Sequence, residues 1–357
     1  MIYINGRFLG QRTTGVQRFA LEIVKKLILI DNSIRIIVPK EFATSLSSQV
    51  KQEFLSNLIF WGKGNGLIWE QVILPFYPKK SKSVLLNLCN SAPILWASKL
   101  TCIHDMSYRA NPQWFSKEFR NYYAFLIPLI AKTSKRILTV SEFSKSEIIK
   151  YLGISECKIK VVYNACADIF RNESFPSNKL YQTKTIVFVG SIEPRKNLIS
   201  LLKAFSKNLS PDIKLVIVGS KNSNTFNSAG TEELNDSRIT WEQSCTDQDL
   251  KEIYLKSDIL INCSLYEGFG VPIIEAANNG CILALSDIPS FREIAGDSAV
   301  YFDPLNIDDI GFTIARLTSD STQNLALLGK KTYQNLSNKY SWERSAVSIY
   351  EILKINF

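Results

Sequence analysis

The sequence predicts an α/β protein made of two doubly wound, parallel-sheet domains, and three observations carry that prediction. Apolar strand-like runs alternate with longer helical stretches along the chain, as in sheets covered by helices on both faces. The alternation occurs twice, on either side of a polar, aperiodic stretch at 164–182 that reads as a linker. The chain has 357 residues, too many for one ordinary core and suited to two domains of ~150 residues each.

In the first half the expected strands are 1–4, 34–38, 84–88, 100–103 and 137–140, with helices at 15–30, 116–132 and 144–152. In the second half strands fit 185–189, 214–218, 259–263, 282–285 and 299–302, with helices at 198–205, 247–256 and 272–278. A last helix is expected from Ser341, because Trp342, Ala346, Ile349, Tyr350 and Leu353 recur at roughly helical spacing. The expected domains are 1–175 and 176–340, and 341–357 is a helix expected to return to the first domain. Ligands of such sheets bind beyond the carboxyl ends of the strands, so two facing sheets would make one cleft.

Composition narrows the class. No apolar run reaches the ~18 residues of a membrane-spanning helix; the richest, 122–131, is short and is expected to be broken by Pro128. The start MIYINGRF reads as a strand rather than a signal peptide, so a cytoplasmic protein is expected. The seven cysteines form no CxxC pair, and a single histidine accompanies them, which fits reduced, buried thiols better than a zinc site. Residues 1–180 carry 25 Lys and Arg against 12 Asp and Glu, a balance of +13, whereas residues 181–357 balance at −4. The first half therefore suits an anionic neighbour, such as a lipid surface or lipid pyrophosphate, or is simply a solvated basic surface. The basic residues are dispersed and no recognition motif joins them, so nucleic acid is not expected.

Four places can carry chemistry. Residues Tyr266-Glu267-Gly268-Phe269-Gly270-Val271-Pro272-Ile273-Ile274-Glu275 follow a strand. Gly268 and Gly270 admit close backbone approach, Pro272 suits a first helical turn, and the helix start offers free N–H groups to an anion. Glu267 and Glu275 can accept hydrogen bonds from sugar hydroxyls. Residues Val189-Gly190-Ser191-Ile192-Glu193-Pro194-Arg195-Lys196-Asn197 also follow a strand, and Arg195 and Lys196 stand where a pyrophosphate can be clamped. Gly15 lies between the first strand and the first helix, where a loop can reach phosphate, although no GxGxxG pattern surrounds it. His104, the only histidine, ends a strand. Asp247-Gln248-Asp249 has the spacing of a metal-binding D-x-D, but with Thr246 it reads as a helix cap; Asp308-Asp309 likewise reads as a helix start.

At Glu267–Glu275 and at EPRKN the sequence resembles the group 1 (family 4) retaining glycosyltransferases of the GT-B fold. Seven residues separate Glu267 from Glu275, and VSEFSKSEI, SDIPSFREIAGDSAVYFDP and SWERSA are also similar to strings of that family. The resemblance covers most of the second domain and part of the first. It implies that Glu275 binds the ribose and Glu267 the donor sugar, with backbone N–H groups around Phe269, Gly270 and Val271 near sugar and phosphate. It implies that Lys196 binds the diphosphate, that Gly15 approaches it from the other domain and that His104 touches the sugar near the reacting carbon. Many relatives have Arg at the position of Ser191; either Arg195 replaces it or the subgroup manages without it.

Together these imply transfer of a hexosyl group, mannosyl from GDP-mannose as the best single guess. The acceptor would be a glycan or lipid-linked glycan in surface polysaccharide synthesis. No metal or other cofactor is expected. A basic, aromatic stretch at 116–136 fits equally a segment lying on an anionic membrane and a core helix with a basic outer face. The rival readings are a nucleotide-sugar epimerase of the same fold and a non-catalytic sugar-nucleotide-binding subunit, which assays with labelled donor would separate.

Overall fold

The computed structural model describes residues 1–64, 66–176, 179–182, 184–207, 209–219 and 236–356. The chain divides into two compact units: Met1–Arg109 with Asn121–Asn164 and Ser341–Phe357, and Ala110–Arg120 with Ala165–Tyr340.

The first unit holds β1 (Ile2–Asn5), β2 (Arg35–Val38), β3 (Leu58–Phe60), β4 (Val84–Asn87), β5 (Lys99–Cys102), β6 (Arg136–Thr139) and β7 (Ile159–Val161). They pair in the order β3-β2-β1-β4-β5-β6-β7, every pair parallel. The second unit holds β8 (Thr185–Val189), β9 (Lys214–Val218), β10 (Ile239–Glu242), β11 (Ile259–Asn262), β12 (Ile282–Ser286) and β13 (Val300–Phe302), in the order β10-β9-β8-β11-β12-β13, again all parallel. The order reverses between β1 and β4 in one sheet and between β8 and β11 in the other. These are the topological switch points, where doubly wound sheets bind ligands.

The second sheet shows why its strands read as unbroken apolar runs. Ile186, Phe188, Leu215, Ile217, Ile259, Ile261, Ile282 and Ala284 line one face and pack on Leu201, Phe205, Ile310 and Ile314 of the covering helices. Val187, Leu260, Leu283 and Leu285, at the alternate positions, are buried too, because parallel sheets are covered on both faces. The strands absent from the sequence reading are β3, β7 and β10. All three are edge strands of three or four residues, too short and too exposed to leave a strong apolar signal.

Two expectations are corrected. Pro128 does not break its helix: Lys117–Thr133 runs through it. Proline removes the N–H that would bond the carbonyl four residues back, here that of Ala124, and the Arg109 guanidinium donates to that carbonyl at 3.3 Å instead. The stretch 164–182, of which 177–178 lie outside the described residues, is not a free linker. Lys179 is buried, and its ammonium donates to the carbonyls of Tyr254 at 2.7 Å, Leu255 at 3.2 Å, Asn279 at 3.3 Å and Ser257. It thus caps the C-terminal end of the helix Asp247–Lys256. Asn172 donates to the Asn278 carbonyl at 2.8 Å and the Tyr181 hydroxyl to that of Gly280 at 2.6 Å. Lys179→Met keeps the aliphatic stem but strips these carbonyls of their donor. Chemical denaturation of the full chain should show a loss of about 2–4 kcal/mol; a loss within ~0.5 kcal/mol would mean that water replaces the ammonium freely.

The helix Trp342–Asn356 packs on Gly15–Ile30 within the first unit. Trp342 stands edge-on to Phe19 with ring centres 5.8 Å apart, Glu343 pairs with Lys26 at 2.7 Å, and the Tyr350 hydroxyl donates to Asp31 at 3.0 Å. Of the seven cysteines, Cys102, Cys166, Cys263 and Cys281 are buried, Cys89 and Cys245 are half-buried and Cys157 is exposed, all of them free thiols. Among the described residues no helix is long and apolar enough to cross a membrane.

Candidate active site

In the second unit two loops meet at the switch point. The loop after β8 carries Gly190 to Asn197, and the loop after β11 carries Ser264 to Gly270. The Leu265 N–H donates to the Arg195 carbonyl at 2.9 Å and joins them. A single turn Pro194–Lys196 is stopped by Asn197, which takes a left-handed φ of 55° before the helix Leu198–Ser206 begins. Asparagine tolerates that conformation better than most residues, and its side chain donates to the Pro304 carbonyl at 2.8 Å. Lys196 folds back over Gly190, where an added Cβ would stand 3.2 Å from its Cε.

The result is a compact ionic group of two carboxylates and two cations. The Arg195 guanidinium donates to Glu267 Oε2 at 2.7 Å and to Glu193 Oε1 at 2.9 and 2.6 Å. Lys196 bonds Glu267 Oε1, and the Ser264 hydroxyl reaches the same oxygen at 3.2 Å. Glu193, Lys196 and Glu267 are buried. Burial pushes the Glu267 carboxyl up, but Arg195 and Lys196 together outweigh burial and hold it at about 2. Glu267 is therefore ionised at any working pH. Arg195, expected as a phosphate clamp, is already held by two carboxylates; Ser191 is exposed.

The other residues of the motif occupy the following turn. Gly270 has a φ of 94° and caps the helix Val271–Asn278, with Pro272 in its first turn. An added Cβ on Gly270 would stand 2.8 Å from the Phe291 ring, so both backbone and space require glycine. Gly268 and Phe269 are buried, Phe269 edge-on to Tyr340 with centres 5.3 Å apart. Among the described residues the N–H groups of Gly270 and Val271 have no protein acceptor, the usual state of a helix start that can hold an anion. Glu275, inside the helix, is buried and accepts from the Tyr254 hydroxyl at 3.1 Å. Glu193 stood in the quoted motif without a role, and Tyr254 lies 21 residues upstream with no local signal. Only the fold reveals either as a partner.

Gly15 and His104 belong to the first unit. Gly15 opens its helix behind a Thr14–Gln17 capping box, is exposed, and has nothing within 4 Å of an added Cβ, so packing does not demand a glycine there. His104 is buried. Its Nε2 lies 2.8 Å from the Leu88 carbonyl, its N–H donates to Asn90 at 2.7 Å, and its ring is edge-on to Phe19 with centres 5.0 Å apart. Burial lowers its pKa. A neutral ring donating from Nε2 leaves Nδ1 as a lone-pair acceptor. Asp247-Gln248-Asp249 forms a cap: Asp249 accepts from the Thr246 N–H at 3.0 Å and the Thr246 hydroxyl at 2.6 Å. Asn306 caps the helix that holds Asp308 and Asp309.

Two Rossmann-like parallel sheets, with a cationic pair and an open helix start at the second switch point, define a glycosyltransferase of the GT-B fold. Residues 170–338 match the family described as "Glycosyl transferases group 1". It is 28% identical over 275 residues to the O-antigen chain mannosyltransferase B of Escherichia coli, covering 71% of this chain and 70% of that one. It is 27% identical over 317 residues to the O-antigen chain mannosyltransferase RfbU of Salmonella typhimurium, covering 84% and 86%. Among solved structures, Anabaena HepE in complex with UDP and glucose superposes with a TM-score of 0.73 at 13% identity, over 99% of both chains. A glycosyltransferase from Rickettsia africae gives 0.69 at 18%, over 99% of this chain and 97% of that one.

Proposed function

We propose that this enzyme transfers a mannosyl residue from GDP-mannose, with retention of configuration and without a metal, to a glycan or lipid-linked glycan acceptor in surface polysaccharide synthesis. The observation that carries the reading is the convergence of Lys196, Arg195 and Glu267 beside the open N–H groups of Gly270 and Val271. Those groups suit a diphosphate next to a polyol. The mannosyltransferases named above support the choice of sugar.

In this reading the donor diphosphate draws the Lys196 ammonium from Glu267 and takes the helix-start N–H groups. Glu267, freed on Oε1 and still held on Oε2 by Arg195, accepts from the sugar hydroxyls. Glu275 takes the ribose. The bond from the anomeric carbon to phosphate breaks, the bond to the acceptor oxygen forms on the same face, and the acceptor's proton passes to the departing diphosphate. The protein supplies orientation and fixed positive charge where negative charge develops.

A thermal-shift panel of GDP-, UDP-, dTDP- and ADP-sugars tests the donor. At saturating concentration GDP-mannose should raise Tm by several degrees, with or without EDTA. A response to another nucleotide alone would overturn the donor assignment, and loss of the shift in EDTA would overturn metal independence.

A further inference from the structure

The crossover from β3 to β4 carries a surface that the donor site does not use. Gly66–Ile68, Trp69–Ile73 and Leu74–Phe76 follow one another as a single helical run with a π turn in the middle. Its inner stripe is built into the unit: Trp69 and Leu74 pack with Tyr3, Ile37 and Leu85 of the sheet, and Glu70 is sealed against Arg7 at 3.2 Å. A helix packed this way ordinarily shows polar residues to water. Here the outer stripe is apolar. Ile68, Val72 and Phe76, four residues apart, are 71%, 53% and 72% exposed. Leu95, 70% exposed, adds to them from the adjoining loop, which Gln71 holds by bonds to the Ala92 carbonyl at 2.9 Å and the Ile94 N–H at 3.1 Å.

Lysines border this apolar ridge. Lys79, Lys80 and Lys82 follow it directly and are exposed, and the Lys79 ammonium lies 4.4 Å over the Trp96 ring, next to Leu95. No acidic residue occurs between Gln71 and His104. Among the described residues these lysines form no ion pair, so their charge is uncompensated.

We propose that this face docks on a membrane bearing anionic headgroups, the apolar ridge entering the interface and the lysines lying at headgroup level. The proposal rests on the lipid-linked acceptor of the reading above and names the surface that would bring the enzyme to it. Apolar side chains flanked by basic ones are what an interfacial helix needs. The basic stretch at 116–136 offers less: Tyr122 and Tyr123 are half-buried and Leu126, Ile127, Ile130 and Ala131 buried, leaving Phe125 exposed. A second copy of the chain fits poorly, because a two-fold interface sets the same patch against itself and brings lysines onto lysines.

Flotation of the full-length enzyme with vesicles tests this. Wild type should float with vesicles of equal parts phosphatidylcholine and phosphatidylglycerol, weakly with phosphatidylcholine alone, and less as salt rises. Lys79→Glu, Lys80→Glu and Lys82→Glu together should weaken partition on the order of a hundredfold, and Ile68→Ser with Val72→Ser and Phe76→Ser about tenfold or more. Both variants should keep wild-type donor binding, because neither touches that site. Equal binding by wild type and variants, no preference for the anionic vesicles, or a self-associated wild type whose apolar variant is monomeric would each overturn the proposal. Failure of the donor assignment would appear in the nucleotide panel and leave the vesicle result unchanged.

Discussion

Arg195→Ala is expected to cost about 3–5 kcal/mol of stability, the largest effect of any single substitution at the site. The Glu193 side chain is only 1% exposed, and Arg195 donates to it from two nitrogens. Removing the guanidinium leaves Glu193 buried beside Glu267, with Lys196 as the remaining cation and bonded only to Glu267. Glu193 must then be protonated, hydrated or expelled. Denaturant titration reads the loss directly, and Glu193→Gln combined with Arg195→Ala should recover part of it, since an amide carries no charge to strand.

Acid has a related effect. Glu267 titrates at about 2 in the folded chain, below its ordinary value of 4.5, so its contribution to stability is complete above about pH 4.5 and is lost as the pH falls towards 2. In Arg195→Ala the Glu267 carboxyl keeps only one of its two cations, so its folded value rises towards 4.5, and that contribution is smaller and is fully lost at a higher pH. A stability change below ~1 kcal/mol, with an unshifted acid limb, would show that the ionic group is hydrated and holds nothing in place.

Lys196→Ala should do the reverse, leaving the fold nearly intact and impairing the reaction. Arg195 at 2.7 Å and Ser264 at 3.2 Å still bond Glu267, so stability should fall by no more than about 1–2 kcal/mol. Turnover should fall on the order of 10²–10³-fold, about 2.7–4 kcal/mol, the usual loss when one fixed group opposite developing charge is removed. Most of it should appear in kcat, because the charge on a departing diphosphate grows towards the transition state. A folded variant with full activity would remove Lys196 from the mechanism. Together the two substitutions separate a strut from a working cation in adjacent residues of one motif.

That separation was not legible in the sequence, where Arg195 and Lys196 looked alike as a basic pair. What distinguishes them is which carboxylate each one reaches, and Glu267 lies about 70 residues further on. Tyr254 is the same case: no local pattern marks it as the partner of Glu275. The edge strands β3, β7 and β10 also escaped reading, because half-exposed strands of three or four residues carry little apolar signal. The central strands were legible for the opposite reason, since burial on both faces makes them continuous apolar runs.

The sequence by itself determined the two α/β units, the loops that hold the site and the chemistry of the motif residues. These depend on periodicity, turn chemistry and short-range spacing, all local in the chain. The tertiary structure alone decided that Arg195 bridges Glu193 and Glu267, that Lys179 clamps the expected linker, that Arg109 supports the helix through Pro128, and that Ile68, Val72 and Phe76 face outwards. Each of these depends on which distant groups share a buried volume, and burial is what turns a neighbouring charge, a missing N–H or an apolar side chain into a large free energy.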